Sequence, residues 1–216
     1  MTLWNAKRAA DDPPKPLWKC RPTAVYPYRN LLGDLLGYVL RVDLEAGAKI
    51  TPQIRYARCP DGVDRWAVWH FDKPRPLYRG EHFARESGPI LVCEGEKASD
   101  AAALLMGALA TTWPGGGKAV QYADWLLLKG RELFLWPDAD QEGEYAMIGK
   151  PSTDGAPAKP GVAQLASAAG ANIKAIFEWD RTKERGWDAA DALSDGWSRA
   201  DAVAWMNKQV RNWKRQ

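Results

Sequence analysis

Pro89-Ile90-Leu91-Val92-Cys93-Glu94-Gly95-Glu96-Lys97 and, about forty residues later, Leu133-Phe134-Leu135-Trp136-Pro137-Asp138-Ala139-Asp140 decide the reading of this chain. Each is a short apolar run that ends in acid. Apolar runs of this length between turn residues read as buried strands. Parallel strands of an α/β layer carry their ligands at their carboxyl ends. The spacing therefore brings Glu94, Asp138 and Asp140 to one edge of a sheet. Carboxylates gathered in one place repel unless a proton or a cation intervenes. The simplest chemistry for such a cluster is a divalent metal site for phosphate groups, with Mg²⁺ or Mn²⁺ as hard, oxygen-seeking cations.

Working outward, the grammar from Pro89 is β-α-β. Glu96 to Ala108 is rich in Ala and Leu at helical spacing, and Leu109 to Trp113 reads as a strand. Ala123 to Lys129 is a short helix stopped by Gly130, Val162 to Ala169 a helix ended by Gly170, and Ile173 to Trp179 a strand. Residues 149–160 are rich in Pro, Gly and Ser and read as an exposed loop. A last helix runs from Arg199 to about Trp213. Strands alternating with short helices imply a parallel-type sheet with helices on its faces. Upstream the pattern differs. Ala24–Tyr28, Leu35–Asp43, Lys49–Tyr56 and Arg65–Phe71 are candidate strands separated by Gly33-Asp34, Glu45-Ala46-Gly47 and Asp61-Gly62, an antiparallel meander. The expected organisation is an irregular leader over 1–22, a β-rich nucleic-acid-binding module over 23–87, an α/β catalytic domain over 88–195 and a basic C-terminal helix over 196–216. The fold class is α+β with an α/β, Rossmann-type sheet.

Composition supports a folded protein with a substantial core: 216 residues, 46% apolar, 12 Trp. No apolar run approaches the roughly 18 residues of a membrane helix, and the N-terminus lacks the apolar stretch of a signal peptide. Cys20, Cys59 and Cys93 form no C-x-x-C pair, which argues against a zinc ribbon or a disulfide framework and for a reducing, cytoplasmic setting. The net charge of +3 is unevenly spread: residues 1–89 hold 15 basic and 10 acidic side chains, residues 90–145 hold 4 and 9, and residues 146–216 hold 11 and 8. An acidic centre between basic flanks suits a metal site beside a polyanion path.

Each candidate residue admits a chemical and a purely structural role. Glu94 is a general base or acid, a metal-linked carboxylate, or a helix-start residue favoured by the macrodipole. Asp138 and Asp140, two apart, face the same way in an extended segment and share one or two metal ions, or else mark a surface turn. Glu142 and Glu144 extend the acidic run and face solvent. Asp188 and Asp191 share a helical face and complete the metal site, unless Asp188 is only a cap. Lys183, Glu184 and Arg185 just before them form a basic loop near phosphates. Lys97 contacts phosphate or neutralises Glu94. Lys118, after three glycines, is a phosphate-loop residue or the end of a plain turn. The glycine run lacks the spacing and the Ser/Thr of a P-loop. Arg55, Arg58, Arg75 and Arg79, interleaved with Trp66 and Trp69, track a backbone and stack bases, or else the aromatics are core.

The run Glu94-Gly95-Glu96-Lys97-Ala98-Ser99-Asp100-Ala101-Ala102, then Asp138-Ala139-Asp140 with Gly143, then Gly186-Trp187-Asp188-Ala189-Ala190-Asp191, resembles the TOPRIM domain, and most nearly its form in phage and plasmid primases of the bacterial type. The likeness extends over roughly residues 24–195. It departs at Ala98, where many bacterial primases carry Asp, and in the length of the segment between Gly143 and Gly161. Neither a zinc-binding module nor a helicase accompanies it. The resemblance implies a nucleotidyltransferase that makes short RNA primers on single-stranded DNA from NTPs with Mg²⁺ or Mn²⁺. Asp138 and Asp140, with Glu94, would be catalytic and metal-linked. Single-stranded DNA, NTPs and a replicative helicase on another chain or segment would be partners, with no membrane. A TOPRIM nuclease and a non-catalytic nucleic-acid-binding accessory need the same residue types and stand as rivals. A topoisomerase would need a tyrosine on a large separate domain.

Overall fold

A computed structural model describes residues 2–3, 21–45, 48–153 and 155–211. Two sheets organise them. The first is antiparallel and contains β1 (Thr2–Leu3), β2 (Ala24–Arg29), β3 (Leu35–Asp43), β4 (Lys49–Ile50), β5 (Gln53–Arg58) and β6 (Asp64–Val68). Its main path runs β1-β5-β3-β2, with β4 on β3 and β6 on β5. The expected strand over 49–56 is thus two strands, interrupted at Thr51-Pro52, where proline has no N–H to give a ladder. The leader expected to be irregular contributes a strand: Thr2 and Leu3 pair with Arg58 and Ala57. Alternation buries Tyr26, Tyr28 and Val39 against Phe71 and Tyr78.

The second sheet is built from β7 (Ile90–Cys93), β8 (Leu109–Thr111), β9 (Glu132–Trp136), β10 (Asn172–Phe177) and β11 (Val210–Arg211). Its order is β11-β10-β9-β7-β8. The four longer strands are parallel, and β11 is antiparallel at the edge. The strands are apolar on both faces because both are covered. Ile90, Val92, Leu133 and Leu135 face one layer, which includes α2 (Gln141–Ile148) and α3 (Val162–Ala168). Leu91, Cys93 and Trp136 face the other, with α1 (Glu96–Met106), α4 (Ala189–Ser194) and α5 (Arg199–Gln209). There Trp136 stacks on Trp205 with centroids 5.1 Å apart. Ala202, Trp205 and Met206 of α5 belong to this core. The helix expected to reach Trp213 stops at Gln209; residues 212–216, with Trp213, lie outside the described residues.

Other boundaries moved for local reasons. Residues 123–129 form only a 3₁₀ turn at Trp125–Leu128. Residues 141–148, which the acidic pattern obscured, are helix α2, capped by Asp140 and carrying Glu142 and Glu144 in its first turn, where carboxylates suit the macrodipole. Of these two, Glu142 is exposed, but Glu144 turns inward to Arg211, 2.8 Å away. The stretch 149–160 carries isolated bridges, Lys150 to Lys159 and Thr153 to Ala156.

The two sheets meet along a polar seam. Tyr28 Oη donates to Glu96 Oε1 at 2.7 Å, with Tyr28 fully buried. The Tyr78 N–H donates to Thr112 O, and Thr111 Oγ1 donates to Tyr78 O. Burial, opposed by the tyrosine hydrogen bond, raises the Glu96 carboxyl above its usual range.

Candidate active site

β7 is followed in the sheet by β8 on one side and β9 on the other, so the chain crosses over between β7 and β9. That crossover is the topological switch point where open α/β sheets leave a crevice. Cys93 pairs with Trp136 at its carboxyl end, and the next acids are Glu94 and Asp138. Both line a cleft of about 160 Å³, together with Asp188. Glu94 Oε2 and Asp138 Oδ1 are buried and lack a hydrogen-bond partner among the described residues. Burial, then the charge of Asp140, pushes Glu94 up to about 6. Burial, then Glu94 and Asp188, pushes Asp138 up to about 9. Asp188 is raised as well, by burial and then by Asp191. Such carboxyls either hold protons or need a cation.

Asp140 is placed differently. Asp140, still extended in backbone, is the N-cap of α2. Its Oδ1 accepts from Gly143 N at 2.8 Å, and its Oδ2 lies 3.7 Å from Arg185 Nε. It lines a neighbouring cavity instead of the Glu94–Asp138 cleft. Asp188 and Asp191 form a capping box on α4. Asp188 Oδ1 accepts from the N–H groups of Ala190 and Asp191, and Asp191 Oδ2 accepts from Asp188 N–H. The cap accounts for the position of Asp191; Asp188 combines it with a place in the cleft. Gly143 is demanded by the turn: a Cβ there would stand 2.5 Å from Asp138 O. Gly117 passes over Glu94 so closely that its Cβ would lie 3.3 Å from Glu94 Oε1.

The opposite wall comes from the antiparallel sheet, where sequence reasoning had assigned nothing to the cleft. Tyr26, Arg41, Lys49 and Thr51 line it, facing Lys97 from α1. Lys49 acts on Glu94, Glu96 and Asp138 alike, its charge lowering the pKa of each. The available signal for Arg41 and Lys49 was their positive charge, and Tyr26 and Thr51 offered none, since their approach to Glu94 exists only in the folded chain. Lys118 is exposed beyond the glycine run.

The residues expected to bind nucleic acid divide. Arg55 is 7% and Arg75 8% exposed. Arg55 pairs with Asp72 at 3.0 Å and lies over Trp69 and Phe71. Arg75 donates to Pro114 O and lies over Tyr122. Both are internal struts and offer no exposed charge to a strand. Arg58 is on the surface, paired with Asp64. Arg79 has left-handed backbone, φ 60°, and stands 4.0 Å from Asp100. Trp66 packs with Tyr38 and Tyr56, and Trp69 is half-buried.

A divalent cation fits the cleft in charge and in its orphaned oxygens, Glu94 Oε2 and Asp138 Oδ1. Among the described residues no three acidic, His or Cys side chains already converge as a ready ligand shell. The fit is thus one of electrostatics and donor chemistry, not of a preformed cage. Mg²⁺ commonly keeps several waters and takes only one or two carboxylates.

No family model matches the sequence, and no curated protein matches it. Solved structures do. A DNA primase domain from Pseudomonas aeruginosa aligns over 89% of this chain and 53% of its own, with TM-score 0.51 and 16% identity. A structure of the bacteriophage T7 lagging-strand DNA polymerase interacting with primase domains aligns over 88% and 78%, with TM-score 0.49 and 15% identity. The primase fragment of the bacteriophage T7 primase-helicase protein aligns over 86% and 61%, with TM-score 0.49 and 13% identity. The chain spans about half the length of the Pseudomonas domain. At this identity the likeness is one of fold: two sheets with flanking helices, mixed α and β, shared with a DNA primase domain.

Proposed function

We propose that this chain is a TOPRIM-type primase, a metal-dependent nucleotidyltransferase that joins NTPs into short RNA on single-stranded DNA, in phage or plasmid replication. The observation that carries the reading is the pair of buried carboxylates, Glu94 and Asp138, each with one oxygen lacking a hydrogen-bond partner among the described residues, at the switch point of a parallel sheet and facing cations from a second sheet. The shared fold with a primase domain supports it, as do the order and spacing of the three acidic motifs.

A bound Mg²⁺ or Mn²⁺ would supply positive charge for the transferring phosphate and the leaving pyrophosphate. Asp138 and Glu94 would hold it, with Asp188 at the rim. Glu94, pushed to about 6, is largely ionised at neutral pH and suited to take the proton of the hydroxyl. Lys49, Arg41 and Lys97 line the cleft as the triphosphate-facing cations. The side-chain-free run Gly115–Gly117 lets the nucleotide approach close to the backbone.

The test is to incubate the protein with single-stranded DNA, labelled NTPs and Mg²⁺ or Mn²⁺ beside labelled-DNA controls. Primer ladders are expected. Shortened DNA would overturn the reading in favour of a nuclease, and no product in favour of a binding accessory. Glu94→Gln is expected to depress turnover by roughly 10²-fold or more if Glu94 moves the proton. Calorimetric metal titration of the same variant then distinguishes a base, with affinity retained, from a ligand.

A further inference from the structure

The cavity beyond Asp140 takes no part in the proposed reaction. It measures about 400 Å³ and is lined by Asp140, Gln141, Glu142, Trp179, Lys183 and Arg185. Like the cleft, it opens at the carboxyl edge of the parallel sheet, beyond the ends of β9 and β10, the region where α/β sheets receive ligands. We infer that it is a subsite for a single-stranded nucleic acid, taking a base at Trp179 and phosphates at Arg181 and Arg185, and that it extends the strand path past Asp140. The inference rests on the proposed nucleotidyl transfer for its biological sense, but its chemistry stands on the cavity alone.

The loop from β10 to α4 is built to present cations. Two of its acids are engaged with the protein, while Glu184, between Lys183 and Arg185, is exposed: Asp180 Oδ1 accepts from both Thr182 N–H and Thr182 Oγ1, and Asp180 Oδ2 from Trp205 Nε1. Glu178 pairs with Arg211 at 2.9 Å. These contacts anchor the loop to the core through Trp205 and fix its turn. Lys183 is held over the rings of Trp187 and Trp197, 4.6 and 4.9 Å from their centroids. Arg181 lies over the Trp179 ring at 4.9 Å. A guanidinium on an indole is a flat platform on which a base stacks, since bases stack on both aromatic and Arg planes. The Arg185 side chain is 82% exposed, and among the described residues it pairs with Asp140 alone, at 3.7 Å. So loose a surface pair holds the guanidinium weakly, and a phosphodiester competes for it with two charge-assisted hydrogen bonds. Glu142 and Asp140 put acid on the opposite wall, which places the phosphates on the loop side, with Arg181 and Arg185.

The experiment uses the full chain and a fluorescein-labelled oligothymidylate in EDTA, so that neither metal nor turnover enters. Anisotropy is followed over a salt series. Each phosphate contact on a single strand contributes a slope of about −0.7 in log K against log salt. Arg181→Gln/Arg185→Gln is expected to flatten the slope by about 1.4 and to weaken binding at low salt, with the melting temperature unchanged. Trp179→Leu is expected to weaken binding about fivefold or more at unchanged slope. An unaltered slope and affinity in the double Arg variant would overturn the subsite, as would failure of the parent chain to bind. So would an effect of the variant on a labelled NTP in place of the oligonucleotide. If the strand binds here but no primer is made, the proposed reaction fails and the subsite stands. If primers are made and the Arg variant binds like the parent, only the subsite fails.

Discussion

At the scale of single residues, charge and burial act against each other at Asp138, and the sign of the result is testable. Its carboxyl is raised from an ordinary 3.8 to about 9, so the folded chain binds more protons than the unfolded one across that interval. Stability contributed by the protonated form is complete below about pH 4 and is lost as pH rises towards 9. Metal-free protein is therefore expected to lose stability on going from pH 5 to 8, and Asp138→Asn is expected to reduce that loss. Urea unfolding in EDTA at the two pH values measures it; equal losses in parent and variant would mean that Asp138 is not strained by its neighbours. Arg55 and Arg58 give a second contrast. Arg55 is buried against Trp69 and Asp72, whereas Arg58 is exposed. Arg55→Ala is expected to destabilise by about 1–3 kcal/mol, through lost packing and lost hydrogen bonds, and to leave the salt dependence of DNA binding alone. Arg58→Ala is expected to change stability by less than about 1 kcal/mol. Melting curves and anisotropy of both variants check the pair. The basic character of Arg55 was legible in the sequence; its burial was not, because a guanidinium goes inside only when a particular carbonyl, carboxylate and ring happen to meet it.

At the scale of elements, the Asp138–Asp140 turn shows how a motif serves two ends. Asp138 continues the line of β9 into the cleft, while Asp140 caps α2, and Gly143 lets the first turn of that helix fold back onto Asp138. Gly143→Ala would place a methyl 2.5 Å from Asp138 O. The backbone must shift, at an expected cost of about 1–3 kcal/mol, and Asp138 moves with it. Turnover and Mn²⁺ affinity are expected to fall together, more than stability does. Calorimetry with a parallel thermal melt decides this, and a variant with lower stability but unchanged metal affinity would show that Gly143 matters to folding only. The strands β7 and β9 and helix α1 stood clearly in the sequence because their apolar runs and periodicity are local properties. Helix α2 did not, since its acidic first turn, Glu142 and Glu144, read as part of a ligand cluster while its apolar contacts, Ala146 and Met147, are few.

At the scale of the molecule, the antiparallel sheet is a wall of the candidate site as well as a neighbour of it. It supplies Lys49, Arg41 and Tyr26 to the cleft and fixes the start of α1 through the Tyr28–Glu96 hydrogen bond. An isolated fragment of residues 88–216 is accordingly expected to melt at lower temperature than the full chain and to make no primers even at saturating oligonucleotide. Calorimetry and a product gel test this; a fragment with the parent rate would show the sheet to be dispensable. The parallel layer, the acids at its carboxyl edge and the antiparallel strands before it were legible in local sequence, because strand alternation, helical periodicity and strand-end carboxylates are written over a few residues each. The packing of the two sheets settled that Asp140 caps α2, that Arg55 and Arg75 are struts and that Lys49 lies close enough to act on Glu94 and Asp138. These depend on contacts between segments tens of residues apart, whose geometry follows from how two sheets pack and not from any local pattern.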